Sequence, residues 1–342
     1  MQQEDPVNIE LLIGDELGTK AFIPSVEEGI EWLTERRGTP GKLTFRVLKD
    51  DTLNFSEGSA VRLKVNGDNI FFGFVFGQRR DKDGIITVTA YDQLRYLKNK
   101  DTYVYENKTV AQFIRMVAAD FSLNIGSIDD TTFIIGSRVE ENTSLFEMIE
   151  NALDLELTNS GELYVLYDDF GKLTLKHLSE MYVGGPGAYL MIDEETGENF
   201  EYTSSIDDST FNKVKLTYDN EDTGLREVYI AQDGVNMNRW GVLQYFDTLS
   251  KGENGQVKAD ALLKLYDKKT RTLKIINAIG DNRVRAGSMV VIRLDLGDVK
   301  LNNFMLVESC KHIFKQDEHW MNLILKGSRC GCVCQSRSLS AN

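Results

Sequence analysis

Few of the residues that build reactive centres or covalent staples are present. Four cysteines and three histidines occur in 342 residues. Cys310 stands alone, and Cys330, Cys332 and Cys334 cluster near the end, which is no disulfide framework for a chain of this size. Four prolines exclude a Pro-rich linker or a collagen-like region. Long hydrophobic runs are missing as well. The most apolar stretch, Ile70 to Gly77, falls far short of the ~20 residues of a membrane helix, and Gly73 and Gly77 interrupt it. Met1 to Pro6 carry no basic start and no apolar core, so the expectation is a soluble protein without a signal peptide, made in the cytoplasm. Basic residues are the minority, 39 Lys+Arg against 53 Asp+Glu, for a formal charge of -14. Such a surface repels phosphate and argues against sequence-specific nucleic-acid binding. Neither a P-loop, a Rossmann glycine fingerprint nor a G-x-S-x-G elbow occurs.

What is there reads as a folded protein. Apolar residues make up 42% and charged residues 27%, and the length calls for at least two domains. The first region alternates with a period of two. Leu43, Phe45 and Val47, then Val61, Leu63 and Val65, then Ile86, Val88 and Ala90 each mark one face of a strand. Asn66-Gly67-Asp68 and Asp81 to Gly84 supply the turns. Residues 1–98 are therefore expected to form a small β-barrel. The aromatic strand Phe71 to Phe76 is apolar on both faces, so either another part of the chain or another subunit covers the second one.

The period then becomes helical. Thr109 with Gln112, and Ser144 with Glu147, fit capping boxes ahead of apolar stripes. A hairpin, Glu162 to Tyr167 against Lys172 to His177, completes an α/β insert expected over 99–205. Strand patterns return at Lys213 to Tyr218 and Arg226 to Ala231, and again from Thr272 to Lys326. A helical insertion is expected at about 236–270, with Trp240, Leu243 and Phe246 marking its first helix. The turn Arg285-Ala286-Gly287 leads into Met289 to Ile292 much as Ser56-Glu57-Gly58 leads into Val61 to Val65. The expected class is α+β, mainly β: two related small antiparallel β-barrel domains, 1–98 and 206–327, with α/β and helical insertions. A disordered tail is expected over 328–342.

Candidates for chemistry are sparse. Cys310 and His312 lie two apart on a strand, which could present a thiol to an imidazole base. The plainer reading is a small buried cysteine beside a surface imidazole. His177 and His319 have no evident catalytic setting. The C-x-C spacing of the tail lacks the second ligand pair of a structural zinc site. The loop Asp219 to Gly224 has a calcium-site flavour, but Ile230 stands where a bidentate Glu is needed, and a hairpin turn explains it better. No catalytic residue, metal ligand or cofactor is expected.

The order of motifs resembles the XkdQ/YqbQ family of PBSX-type prophages. It is carried by Gly41-Lys42-Leu43-Thr44-Phe45, Phe55-Ser56-Glu57-Gly58, Ile70-Phe71-Phe72-Gly73, Val88 to Leu97, Lys108-Thr109-Val110-Ala111, Val284 to Val291, and His319 to Leu323. The likeness runs to about Gly327, and the Cys-rich tail departs from it. The resemblance implies a structural, non-enzymatic baseplate hub of a contractile tail, similar to myophage hubs and the hub part of type VI secretion spikes. It implies a homotrimeric ring with quasi-six-fold symmetry between a six-fold tube and a three-fold spike. The implied partners are tube, spike and other baseplate proteins, with DNA only as cargo and no membrane insertion. The implied location is the virion tail baseplate. In such a ring, acids lining the channel would keep DNA from sticking. The competing readings are a tail-associated cell-wall hydrolase or carbohydrate-binding module, and a secretion-system spike hub.

Overall fold

The computed structural model describes residues 7–327, apart from 17, 49–52, 208, 221–222, 250–252, 298 and 316–317. The tail 328–342, with Cys330, Cys332 and Cys334, lies outside the described residues. The chain is mainly β. One sheet of 13 strands runs through it, joined by two smaller three-stranded sheets, a two-stranded ribbon and four α-helices among the described residues.

The alternating segments of the first region all face inward as their period demands. Leu43, Phe45, Val47, Val61, Leu63, Val65, Ile86, Val88 and Ala90 are buried in one core. Asn66 and Gly67 both have positive φ, 53° and 84°, in the two-residue turn that joins Ala60–Val65 to Asp68–Arg80. Along Asp68–Arg80, Phe71 and Val75 join the core while Phe72, Phe74 and Phe76 face the other way. That second face is partly covered from within the chain, and Phe76 stays 36% exposed. Phe170 of the insert packs 5.8 Å from Phe72, and Tyr91 and Tyr96 lie 5.5 and 6.2 Å from Phe76.

The insert forms as its caps predict. Thr109 and Ser144 open the helices Val110–Asp120 and Leu145–Ser160 with complete capping boxes. Both helices bury their apolar stripes against the ribbon Lys100–Lys108/Ile135–Ser144 and a small sheet containing the hairpin Tyr164–Asp168/Leu173–His177.

The two β regions do not form two separate closed barrels. Val26–Glu35 pairs antiparallel with Lys300–Lys315, Ile30 to Glu35 lying opposite Phe314 to Ser309, and this seam makes one continuous sheet. The reason is length. Lys300–Lys315 has 16 residues, which spans ~50 Å. Its first half pairs with Met289–Asp295, and beyond a bulge at Val307/Ser309 the same edge passes to Val26–Glu35.

Other placements also differ from expectation. Met191–Ile192 and Gly197–Ser205, read as the end of the insert, pair into the large sheet with Met289–Asp295 and Thr270–Ile279. Lys213–Asn220 and Leu225–Gln232, read as strands of the second barrel, instead form a separate three-stranded sheet with Gln244–Thr248, packed under the helix Gly255–Tyr266. The helix expected through Trp240, Leu243 and Phe246 stops at Trp240, because Gly241 takes φ 78°. Phe246 lies on the strand Gln244–Thr248. No helix among the described residues is long and apolar enough to cross a membrane.

Candidate functional site

Three parts of the chain meet around one arginine and two buried carboxylates. Arg285 comes from the C-terminal sheet region, Asp92 from the N-terminal one, and Asp168 from the hairpin of the insert. Arg285 sits in a tight turn. Its N–H donates to Ser288 Oγ at 3.1 Å, its carbonyl accepts from Ser288 N at 3.0 Å, and Gly287 takes φ 93°. A side chain at Gly287 would run into Val165. The turn is tied to the seam by Ala286 N–H, which donates to Thr34 Oγ1 at 2.9 Å.

The Arg285 side chain is half-buried, with its Nε shielded from solvent. Its Nη2 donates to the Asp168 carbonyl at 2.9 Å, it lies 4.0 Å over the Tyr167 ring, and it stands 5.8 Å from the Trp32 ring. Asp92 accepts from Gly41 N at 2.9 Å and from Leu94 N at 3.0 Å, capping the 3-10 helix Gln93–Lys98. Asp168 accepts from Gly171 N at 2.7 Å. Burial lifts the Asp92 carboxyl well above the ordinary range. The Asp168 charge adds to that, and Arg285 and the two N–H donors pull the other way. Burial raises Asp168 too. The junction leaves Arg285 Nε and Asp168 Oδ2 buried without a hydrogen-bond partner, and neither these residues nor Asp92 lines the cleft beside the insert.

The thiol and imidazole named from the sequence do meet, but not as a reactive pair. Cys310 Sγ lies 3.1 Å from His312 Nε2, and both residues are completely buried. His312 is thus a core residue and not a surface imidazole. The cause is the strand period: Cys310, His312 and Phe314 share the inward face of Lys300–Lys315. His312 stacks on Trp32 at 4.9 Å, its Nε2 lies 2.9 Å from the Val284 carbonyl, and its Nδ1 is 2.8 Å from His319 Nε2. Burial raises the Cys310 thiol far above its usual range and drives His312 down to about 3, with His319 down to about 4. A protonated thiol facing a weakly basic imidazole has no thiolate to attack with. His177 lies elsewhere, near the surface, between Glu162 at 2.6 Å and Ser179 at 2.7 Å. Asp219 is tied to Arg226 at 2.6 Å in the hairpin. No group of three metal-ligating side chains occurs among the described residues.

A cleft of about 840 Å³ lies between the insert, the small three-stranded sheet and the seam. Its carboxylates are mostly engaged in ion pairs: Glu308 with Arg36 at 2.9 Å, Asp154 with Arg37 at 2.8 Å, and Glu253 with Lys258 at 3.0 Å. These pairs fasten the walls together. The buried charges of the Arg285 junction were missed from sequence. Asp168 and Arg285 stand 117 residues apart, and no local pattern links them.

The YQBQ-like family model matches residues 30–326. The chain is 34% identical over 317 residues to the uncharacterized protein YqbQ of Bacillus subtilis (strain 168), covering 88% of this chain and 92% of the relative. It is 33% identical over 276 residues to the phage-like element PBSX protein XkdQ of the same organism, covering 78% and 81%. Among solved structures, the 43 kDa tail protein of prophage MuSo2 from Shewanella oneidensis shares the fold at a TM-score of 0.67 and 13% identity, covering 93% and 97% of the two chains. A tail protein from Neisseria meningitidis MC58 does so at 0.68 and 13%, covering 95% and 98%. A type VI secretion component of E. coli, described as similar to T4 tail proteins gp27 and gp5, aligns at 0.57 and 10%, covering 94% and 78%. A family match over nearly the whole described chain, with two relatives above 30% identity, makes this protein a member of the YqbQ-like family.

Proposed function

We propose that the chain is a structural hub of a phage or phage-tail-like baseplate. The carrying observation is its construction as one continuous sheet locked to the insert at Arg285, within a family that includes a PBSX protein. In this reading three copies close into a ring, and two sheet-rich lobes per copy present six similar units to a tail tube and three to a spike. The lobes correspond to about residues 1–98 and to the large-sheet strands of 191–205 and 270–327. The buried, protonated Cys310 supports a non-enzymatic role. Other baseplate proteins are its partners, and DNA is only passing cargo.

The test is two measurements on the full chain. Light scattering after size exclusion, alone and with the tube and spike proteins of the same particle, should yield a trimer in at least the mixed sample. Monomer throughout, or an even-numbered ring, would overturn the ring. A peptidoglycan zymogram should show no clearing. Clearing lost on Cys310→Ala would replace the structural reading with a hydrolase.

A further inference from the structure

The three-stranded sheet of Lys213–Asn220, Leu225–Gln232 and Gln244–Thr248 has one covered face and one open face. Val214, Leu216 and Ala231 pack under the helix Gly255–Tyr266. The opposite side chains follow from the register. Lys215 lies between Ile230 and Phe246, Thr217 beside Val228, and Lys213 between Gln232 and Gln244. Val228, Ile230 and Phe246 are 48%, 45% and 56% exposed. Neither Lys213 nor Lys215 has an acidic partner among the described residues, although the chain carries 53 acids against 39 bases. On this strip of an acidic protein, therefore, two uncompensated ammonium groups stand among exposed apolar side chains.

We propose that this face docks an extended acidic segment of another protein that turns carboxylate and aliphatic side chains to the same side. The spacing sets the partner. Two lysines two residues apart on a strand stand ~7 Å apart, the distance between alternate side chains of an extended chain. Carboxylates of the segment meet Lys213 and Lys215, and its aliphatic groups cover Val228, Ile230 and Phe246. An acidic partner also fits the protein's overall charge, since a basic one would be drawn to the rest of the surface in preference to this face. Of the three exposed apolar side chains only Phe246 could stack a base, so the aliphatic Val228 and Ile230 fit a polypeptide better than a nucleic acid. The inference stands on this face alone and not on the hub reading.

The experiment is fluorescence anisotropy with the full chain and a labelled peptide of ~12 residues that has Ser at every second position and Glu, Glu, Val, Val in turn between them, against a counterpart of equal length with Lys in place of Glu. The Glu peptide should bind and the Lys peptide should not. Lys213→Glu/Lys215→Glu should weaken the Glu peptide by about tenfold or more and admit the Lys peptide. Lys213→Gln/Lys215→Gln should weaken it without reversing the preference, and Phe246→Ser should weaken it with the preference unchanged. Far-UV circular dichroism of each variant checks that the fold is kept. The proposal fails if the wild type does not bind the Glu peptide up to about 1 mM. It fails equally if the charge reversal leaves binding unaltered, or if an oligothymidylate competes with the peptide, which would make the face a general polyanion site. A change in the chain's own mass on charge reversal would also overturn it, by assigning the face to a second copy.

Discussion

Replacing Arg285 by Met keeps much of the side chain's volume and removes its charge and its donors. Three contributions are lost. The charged hydrogen bond from Nη2 to the Asp168 carbonyl accounts for about 1.5–3 kcal/mol. The contact over Tyr167 at 4.0 Å adds about 1–2 kcal/mol in a desolvated setting. The third is the field that moderates the carboxyl groups of Asp92 and Asp168, both buried. The sum is about 3–5 kcal/mol near pH 7, the range found when a buried charge loses its counterpart. The third contribution carries a pH signature. Asp92 titrates above its ordinary 3.8 in the folded protein, so its contribution is most favourable below that value and is lost as pH rises through the folded pKa. Removing Arg285 lifts that pKa further, so the added loss is felt at neutral pH and fades in acid. Urea unfolding at about pH 8 and about pH 5, wild type beside variant, should show the difference between them shrinking by roughly 1–2 kcal/mol at the lower pH. Adding Asp92→Asn to the variant should flatten that dependence. A difference equal at both pH values would refute the electrostatic account and leave only lost packing.

Further outcomes are expected elsewhere in the molecule. Cys310 should resist alkylation in the native protein and react only after denaturation, as read by mass spectrometry of its peptide; native labelling at the rate of a free thiol would contradict its burial. His319→Gln should shallow the loss of stability on acidification. His319 titrates at about 4 when folded, so its contribution is present above the ordinary 6.5 and is lost as pH falls through 4. Unfolding curves across that window check it, and an unchanged slope would rule it out. Gly73→Ala should cost about 1–3 kcal/mol in urea unfolding, because its new methyl group would strike the Tyr91 carbonyl. A neutral result would show that the Asp68–Arg80 strand yields there.

Local order was legible in the residues. Thr109/Gln112 and Ser144/Glu147 declared their helices because a capping box is a short-range device. Asn66-Gly67 declared its turn because few residue pairs tolerate two positive φ values. What stayed hidden depends on distant partners. The inward face of Cys310, His312 and Phe314 is carried by their alternation with Lys311 and Lys315, a signal that the polar imidazole at its centre masks. The pairing of Lys300–Lys315 with Val26–Glu35 had no such signal, since either region reads as self-contained by period. The Gln244–Thr248 strand was mistaken because Trp240, Leu243 and Phe246 fall three apart by coincidence, on both sides of the helix stop at Gly241.

Lys300–Lys315 also has a mechanical meaning. A single uninterrupted backbone crosses from one lobe to the other, flanked by Glu318–Gly327 from Met305 to Lys315. Tension applied along that axis loads many amide contacts in parallel, so the lobes separate only by shearing a whole ladder and not by peeling it one rung at a time. The body therefore resists hinging and stretching between its halves.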